Sequence, residues 1–151
     1  MNTTSPIAII VACDNHYVIL LAALLKSVDH HHKSGETIEV FIVDDGITSG
    51  NRKKLASSLV SDKMNLNWIP MDDAIPDDMR IPFDRTSYPK NIHTRIFIPH
   101  FIPKRFEKII YLDVDMIMMR DVSELWNVEL GDHMLAAVML SLIHISQGIV
   151  R

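Results

Sequence analysis

Cysteine occurs once in this sequence, which excludes an internal disulfide bond, and no Cys-x-x-Cys motif supports a zinc site. Basic residues are not in excess. The 15 lysines and arginines face 19 aspartates and glutamates, whereas a general nucleic-acid-binding protein needs a basic surface. No apolar run is long enough to cross a bilayer, and residues 1–6 lack the basic start of a secretory signal. We therefore expect a cytoplasmic protein that does not bind nucleic acid.

The 151 residues suffice for one domain, and 48% of them are hydrophobic, which is typical of a packed core. Apolar runs rich in β-branched residues alternate with stretches of helical periodicity, so the pattern predicts an α/β fold with a mostly parallel sheet. The first half predicts a strand at 7–12, a helix at 16–30, a strand at 37–43, a helix capped by Ser49 and extending to Leu59, and a strand at 66–69. The second half predicts a proline-rich loop at 71–89, a helix at 91–98 ended by Pro99, a strand at 109–112, a turn capped by Ser123, and a strand at 135–140.

The strongest chemical signal is a pair of carboxylates, Asp113 and Asp115, directly after the apolar residues of a predicted strand. Ligands of open α/β sheets bind at the carboxyl ends of the strands. Residues i and i+2 of an extended chain point the same way, so both carboxylates face one pocket in this interpretation. A hard cation such as Mg²⁺ or Mn²⁺, bridged to phosphate oxygens, relieves their repulsion. The alternative is a pair of aspartates in an exposed turn.

Two further sites have two interpretations each, and two others have one. Asp14 and Asn15 close the first strand and either bind a uracil or ribose edge or cap the following helix. Arg95 lies on a mostly apolar predicted helix and pairs either with a ligand phosphate or with a carboxylate of the fold. The basic run 52–54 is interpreted as a solvated helix face. Cys13 is interpreted as a small buried residue without reactivity.

The order of these motifs resembles glycosyltransferase family 8, the retaining transferases that include bacterial lipopolysaccharide galactosyltransferases and glucosyltransferases. The resemblance extends over residues 6–140 and implies the GT-A type of fold, a Rossmann-like nucleotide-diphospho-sugar transferase domain. The matching residues are, in order, Ala12-Cys13-Asp14 with Tyr17, Lys26-Ser27, Asp44-Asp45-Gly46-Ile47 with Asn51, Arg95, Tyr111-Leu112-Asp113-Val114-Asp115, Leu125-Trp126 and Leu130-Gly131-Asp132.

The resemblance implies a hexosyltransferase that moves glucose or galactose from UDP-glucose or UDP-galactose to a saccharide or lipid-linked saccharide acceptor, with lipopolysaccharide core as the family-level acceptor. Mn²⁺ (or Mg²⁺) would be bound by Asp113 and Asp115. The donor site would comprise Ala12, Asp14, Asn15, Tyr17, Arg95, Asp113, Val114 and Asp115. The catalytic residue is not assigned. A full-length enzyme of this kind would associate peripherally with the inner face of the cytoplasmic membrane.

This sequence departs from the family pattern in two places. His93 stands where an aromatic residue usually precedes the arginine, and residues 141–151 do not resemble the family. We therefore expect an incomplete, truncated nucleotide-sugar-binding domain at 6–140, the donor-binding half of an enzyme, followed by a tail. Two alternatives stay open: an inactive truncated fragment with at most weak nucleotide binding, and a haloacid-dehalogenase-like phosphohydrolase in which the first aspartate attacks phosphate.

Overall fold

A computed structural model describes residues 5–75 and 94–137 as one parallel sheet with helices on both faces. The elements are β1 (Ile7–Asp14), α1 (Val18–His31), β2 (Ile38–Asp45), α2 (Ser49–Ser58), β3 (Met64–Pro70), α3 (Met71–Ala74), α4 (Thr94–Phe101), β4 (Ile110–Tyr111) and α5 (Val122–Trp126). The four strands are hydrogen-bonded in the order β3-β2-β1-β4, and every pairing is parallel. The α/β prediction is confirmed.

β1 and β2 form the centre of the sheet because their residues are apolar on both sides. Ile7 to Val11 are fully buried, as expected for a strand covered by helices on each face. β1 pairs with β2 along its whole length, from Ile7 opposite Ile38 to Asp14 opposite Asp45. The two strands therefore end together, and their terminal aspartates lie at one edge of the sheet.

Alternate residues of β1 pack into two separate cores. Ile7, Ile9 and Val11 face a core that includes the apolar residues of α1, Leu55 of α2 and Val122 of α5. Ala8 and Ile10 face a second core, formed with residues of α3 and α4. This strict alternation follows from the period of two in a strand. As a result, α1 and α5 lie on one face of the sheet and α4 on the other.

Both predicted helix caps are displaced in the structure. Thr48, not Ser49, caps α2, and its side chain accepts a hydrogen bond from Asn51 N–H at 3.3 Å. Asp121, not Ser123, caps α5, where its carboxylate accepts from Ser123 N–H at 2.9 Å. In each case the residue in the extended conformation just before the first helical turn is the cap.

Three other boundaries differ from the prediction. α4 continues through Pro99 to Phe101, because Phe97 and Ile98 are buried and Ile102 N–H bonds to Ile98 C=O beyond the proline. The predicted loop begins with the short helix α3, and its residues 76–89 lie outside the described residues. Residues 135–137 do not form the predicted strand, and Leu135 is 79% exposed, so no apolar partner covers it among residues 5–75 and 94–137. Residues 138–140 lie outside the described residues.

Gly46 provides a test of the turn that ends β2. Its φ of 81° lies in the left-handed region, where a Cβ atom costs about 1–2 kcal/mol. We expect Gly46→Ala to lower the free energy of unfolding by about 1 kcal/mol. Gly50→Ala is the matched control, because Gly50 is helical and no atom lies within 4 Å of an added Cβ. Gly50→Ala should raise the free energy of unfolding by about 0.5 kcal/mol. Urea unfolding should therefore show one variant destabilised and the other stabilised. Equal effects would contradict the assignment.

Candidate functional site

The carboxyl ends of β1, β2 and β4 form one polar edge. β4 pairs with β1 such that Ile10 lies opposite Tyr111, and Leu112 N–H donates to Ile10 C=O at 3.0 Å. Ala12 lies two residues after Ile10, and Asp113 lies two residues after Tyr111. The register of β1 and β4 therefore places Ala12 and Asp113 at the same end of the sheet. In the part of the sheet that the structure describes, β1 is central and β4 is an outer strand.

The segment after β4 presents its two carboxylates to solvent. Asp113 and Asp115 are both exposed, whereas Val114 between them is half-buried and packs against the core beneath α1. Val114 and Asp115 lie in a turn, as in the alternative of an exposed turn, and not on an extended chain. Both pairs of carboxylate oxygens are exposed at the edge of the sheet. Such a pair suits Mg²⁺ or Mn²⁺, whose remaining positions are usually filled by water and phosphate oxygens.

Arg95 lies beside Tyr111, the last residue of β4. Its guanidinium carbon is 5.3 Å from the centre of the Tyr111 ring, a cation–π distance. Burial raises the pKa of the Tyr111 hydroxyl, the nearby negative charge of Asp113 raises it further, and the Arg95 charge opposes both effects. One phenol ring on β4 therefore lies between a cation on α4 and a carboxylate of the Asp113–Asp115 pair.

Tyr111 is the residue that sequence reasoning missed. Its apolar ring was counted as part of the buried strand, but it is half-buried and contacts both Arg95 and Asp113. The signal was present in the spacing, since Tyr111 and Asp113 are two residues apart on an extended chain and so share one side.

Asp14, Asn15 and Tyr17 lie where β1 turns into α1. Asp14 Oδ1 accepts hydrogen bonds from His16 N–H at 2.8 Å and Tyr17 N–H at 2.9 Å. These bonds form a turn and delay the start of α1 to Val18, two residues after the predicted start. Asp14 does not cap α1, because the N-cap is Tyr17 and no side chain caps this helix. Tyr17 is 47% exposed at the same edge.

Asn15 links the first strand to the second helix. Its side-chain oxygen accepts from Thr48 N–H at 3.0 Å and from Asn51 Nδ2 at 2.9 Å. Asn15 therefore fixes the β2–α2 connection against β1. Ala12, by contrast, is half-buried and packs with the core on the α4 face of the sheet.

Cys13 is buried, as its interpretation required. Its pKa is raised to about 12, mainly by burial, with further contributions from the negative charges of Asp14 and Asp44. The thiol is therefore protonated at neutral pH, and a thiolate nucleophile is disfavoured.

The interpretation of Arg52 as part of a solvated helix face is wrong. Its guanidinium forms an ion pair with Asp44, whose side chain is only 1% exposed. The guanidinium also lies over the Trp68 ring, 5.0 Å from its centre. The sequence offered no local sign of this contact, because the partners lie on β2 and β3 and meet Arg52 only in the folded sheet.

Two absences apply to residues 5–75 and 94–137. No three His, Cys, Asp or Glu side chains converge on a point where they could hold a metal ion together. None of the helices there has the length and apolar character needed to traverse a lipid bilayer.

Comparison with known proteins gives the family. The sequence model of glycosyl transferase family 8 matches residues 8–146. The chain is 24% identical over 131 residues to General stress protein A of Bacillus subtilis, covering 85% of this chain and 45% of that protein. It is 27% identical over 138 residues to Glycosyltransferase GlyB of Streptococcus pneumoniae, covering 91% of this chain and 32% of that one. The chain thus spans less than half the length of these relatives.

Solved structures agree with the fold. Galactosyltransferase LgtC, solved in complex with donor and acceptor sugar analogues, superposes with a TM-score of 0.64 at 25% identity, covering 83% of this chain and 44% of LgtC. The apo structure of the bifunctional glycosyltransferase WbbM gives 0.71 at 20% identity, covering 87% of this chain and 22% of WbbM. The expected GT-A type of fold is confirmed. With the family's sequence model matched over most of its residues, the protein belongs to glycosyl transferase family 8.

Proposed function

We propose that the complete protein is a retaining hexosyltransferase that uses a UDP-sugar and a divalent cation, and that this chain is its donor-binding half. The observation that carries the proposal is the exposed Asp113–Asp115 pair at the end of β4, with the Arg95 guanidinium on the adjoining Tyr111 ring. Two carboxylates beside an arginine combine a cation site with an anion site, which is the combination that a nucleoside diphosphate requires.

The cation would be held by Asp113 and Asp115 as Mn²⁺ or Mg²⁺. When bound, it would neutralise charge that develops on the leaving diphosphate. Arg95 is the residue of this chain that would contact the phosphates or the donor sugar. Its delocalised charge already lies over an aromatic face, so less conformational freedom is lost when it binds an anion.

The uridine would lie at the β1 end of the same edge. Ala12, Asp14, Asn15 and Tyr17 are the proposed contacts there, with the backbone around Val114 completing the donor site. The hydrogen bonds accepted by Asp14 Oδ1 fix its carboxylate relative to the turn, which favours recognition of a base or ribose edge. No residue of this chain is assigned as the catalytic group.

The sugar, acceptor and location are proposed at the level of the family. The donor is UDP-glucose or UDP-galactose, and the acceptor is a saccharide of the lipopolysaccharide core type, at the inner face of the cytoplasmic membrane. LgtC, named as a galactosyltransferase and solved with donor and acceptor sugar analogues, supports a hexose donor and a saccharide acceptor. The proposed domain covers 6–140, with 141–151 as a tail.

A second candidate is nucleotide binding without sugar transfer by this chain alone. The chain spans less than half of its relatives, and apolar side chains such as Met119 and Leu135 are 73% and 79% exposed. Those residues need further structure to cover them. The haloacid-dehalogenase interpretation has no such support, because Asp113 follows the fourth strand and the chain belongs to another family.

The proposal is tested by calorimetric titration of UDP, with and without Mn²⁺, on this chain and on Asp115→Asn. We expect Mn²⁺ to strengthen UDP binding at least tenfold, and Asp115→Asn to remove that gain, because a neutral amide is a weaker ligand for a hard cation. Asp62→Asn is the matched control, since Asp62 is an exposed aspartate of another loop. UDP binding that is equal with and without the metal, or equal in both variants, would exclude the cation site.

A further inference from the structure

A serine of α1 holds the segment that carries the two carboxylates. The hydroxyl of Ser27 accepts a hydrogen bond from Met118 N–H at 2.9 Å and donates to Leu24 C=O at 2.7 Å. The bond to Leu24 C=O fixes the rotamer of Ser27 on its own helix. The acceptor bond then joins α1 to a residue 91 positions later in the chain, three residues after Asp115.

The segment depends on such a bond because it is neither strand nor helix. Residues 113–120 connect β4 to α5 without regular structure. Burial holds the segment only weakly, since Met116, Ile117 and Met119 are 42%, 55% and 73% exposed and Met118 alone of these four packs against the core. Asp113 is close to the last strand bond, made by Leu112 N–H. Asp115 lies midway between the two bonds, three residues after Leu112 and three before Met118, and follows Val114, which packs against the core.

We propose that Ser27 is a positioning residue for the cation site, which it serves by fixing the backbone that presents Asp115. This inference rests on the proposed function. Two carboxylates bind one cation well only when their separation is fixed, and side chains that support metal ligands typically change affinity by 10–100-fold when removed. Removing the hydroxyl should leave Asp113 in place and loosen the backbone on the C-terminal side of Asp115.

The test compares Ser27→Ala with Ser27→Thr and Ser58→Ala. Ser58 makes the same kind of bond along its helix, to Leu55 C=O at 2.7 Å, so Ser58→Ala controls for loss of that local bond. Ser27→Thr keeps the hydroxyl and should have the same hydrogen exchange and Mn²⁺ affinity as the unmodified chain. Hydrogen exchange of the 113–120 segment is measured without ligand, and Mn²⁺ affinity is measured by electron paramagnetic resonance at saturating UDP.

In Ser27→Ala, we expect the Met118 amide hydrogen to exchange at least tenfold faster and Mn²⁺ to bind about tenfold more weakly. The melting temperature of each variant shows whether it is folded. UDP affinity without metal should stay within twofold. Unchanged exchange at Met118, or an equal loss of Mn²⁺ affinity in Ser58→Ala, would overturn the inference. If the unmodified chain binds no Mn²⁺ with UDP, the proposed function fails and the cation role fails with it, while the exchange data still decide whether Ser27 anchors the segment.

Discussion

Replacing Arg52 with methionine should lower the free energy of unfolding by about 3 kcal/mol, because the variant leaves the Asp44 carboxylate buried without its cation. The Asp44 side chain is 1% exposed and its Oδ1 accepts from Ile47 N–H, so it cannot turn to water without breaking the end of β2. The estimate is at the lower end of the usual range since Arg52 itself is 42% exposed. Circular dichroism should show a melting temperature lower by about 10 °C.

Lys53→Met is the matched control for this prediction. It removes the same charge from the neighbouring position of α2, but Lys53 is exposed, so its substitution should cost less than about 0.5 kcal/mol. A double-mutant cycle with Asp44→Asn separates the ion pair from the contact of Arg52 with the Trp68 ring. If Arg52→Met and Lys53→Met unfold at the same urea concentration, Arg52 contributes no more than a surface charge.

The strands of this fold were predictable because each is encoded by its own residues. The apolar run of β1 and that of β2 contain enough β-branched side chains to specify buried strands without knowledge of their neighbours. The exposure of Asp113 and Asp115 directly after an apolar strand was also indicated by local sequence, whereas a common direction of the two carboxylates stays a prediction. These features depend only on periodicity within a few residues.

The features that the sequence did not reveal depend on distant residues or on backbone conformation that residue types do not fix. Arg52 pairs with Asp44 because β2 and α2 meet in the fold, and no spacing along the chain indicates that Asp44 is buried. Cap positions moved by one or two residues because capping depends on the backbone conformation before the helix, and Ser49 and Thr48 are both good caps. The apolar residues at 135–137 predicted a strand, but periodicity cannot tell whether a neighbouring strand is available.

Replacing Asp121 with alanine should lower the free energy of unfolding by about 3 kcal/mol at pH 7. The carboxylate accepts from Lys33 N–H at 2.6 Å, Ser34 N–H at 2.9 Å and Ser123 N–H at 2.9 Å, and it contacts His32 Nδ1 at 3.0 Å. It therefore caps α5 and also joins α5 to the end of α1. Loss of a cap alone costs about 1 kcal/mol, and a hydrogen bond to a charged group contributes about 1.5–3 kcal/mol net of its exchange with water. The expected effect therefore corresponds to the cap and about one further charged hydrogen bond.

The effect should depend on pH in a defined direction. Although burial opposes it, hydrogen bonds from the Lys33 and Ser123 backbone, from the His32 ring and from Ser34 hold the pKa of Asp121 well below its usual range. A carboxyl group with a lowered pKa in the folded state stabilises the protein above its unfolded pKa, about 4. That contribution is lost as the pH falls from about 5 through the lower folded value. The difference between the unmodified chain and Asp121→Ala should therefore shrink as the pH falls.

Urea unfolding of both proteins at pH 7 and pH 3 measures this difference directly. The pKa of Glu36 is also lowered, chiefly by a hydrogen bond with the Ser34 side chain, so part of the acid sensitivity will persist in Asp121→Ala. The decisive quantity is consequently the change in the difference between the two proteins, not the stability of either one. Asp62→Ala, at an exposed aspartate, is the control and should lower the free energy of unfolding by less than about 0.5 kcal/mol. A difference for Asp121→Ala that is the same at both pH values would mean that its bonds do not favour the ionised carboxylate, and the link between α1 and α5 would then owe its strength to packing.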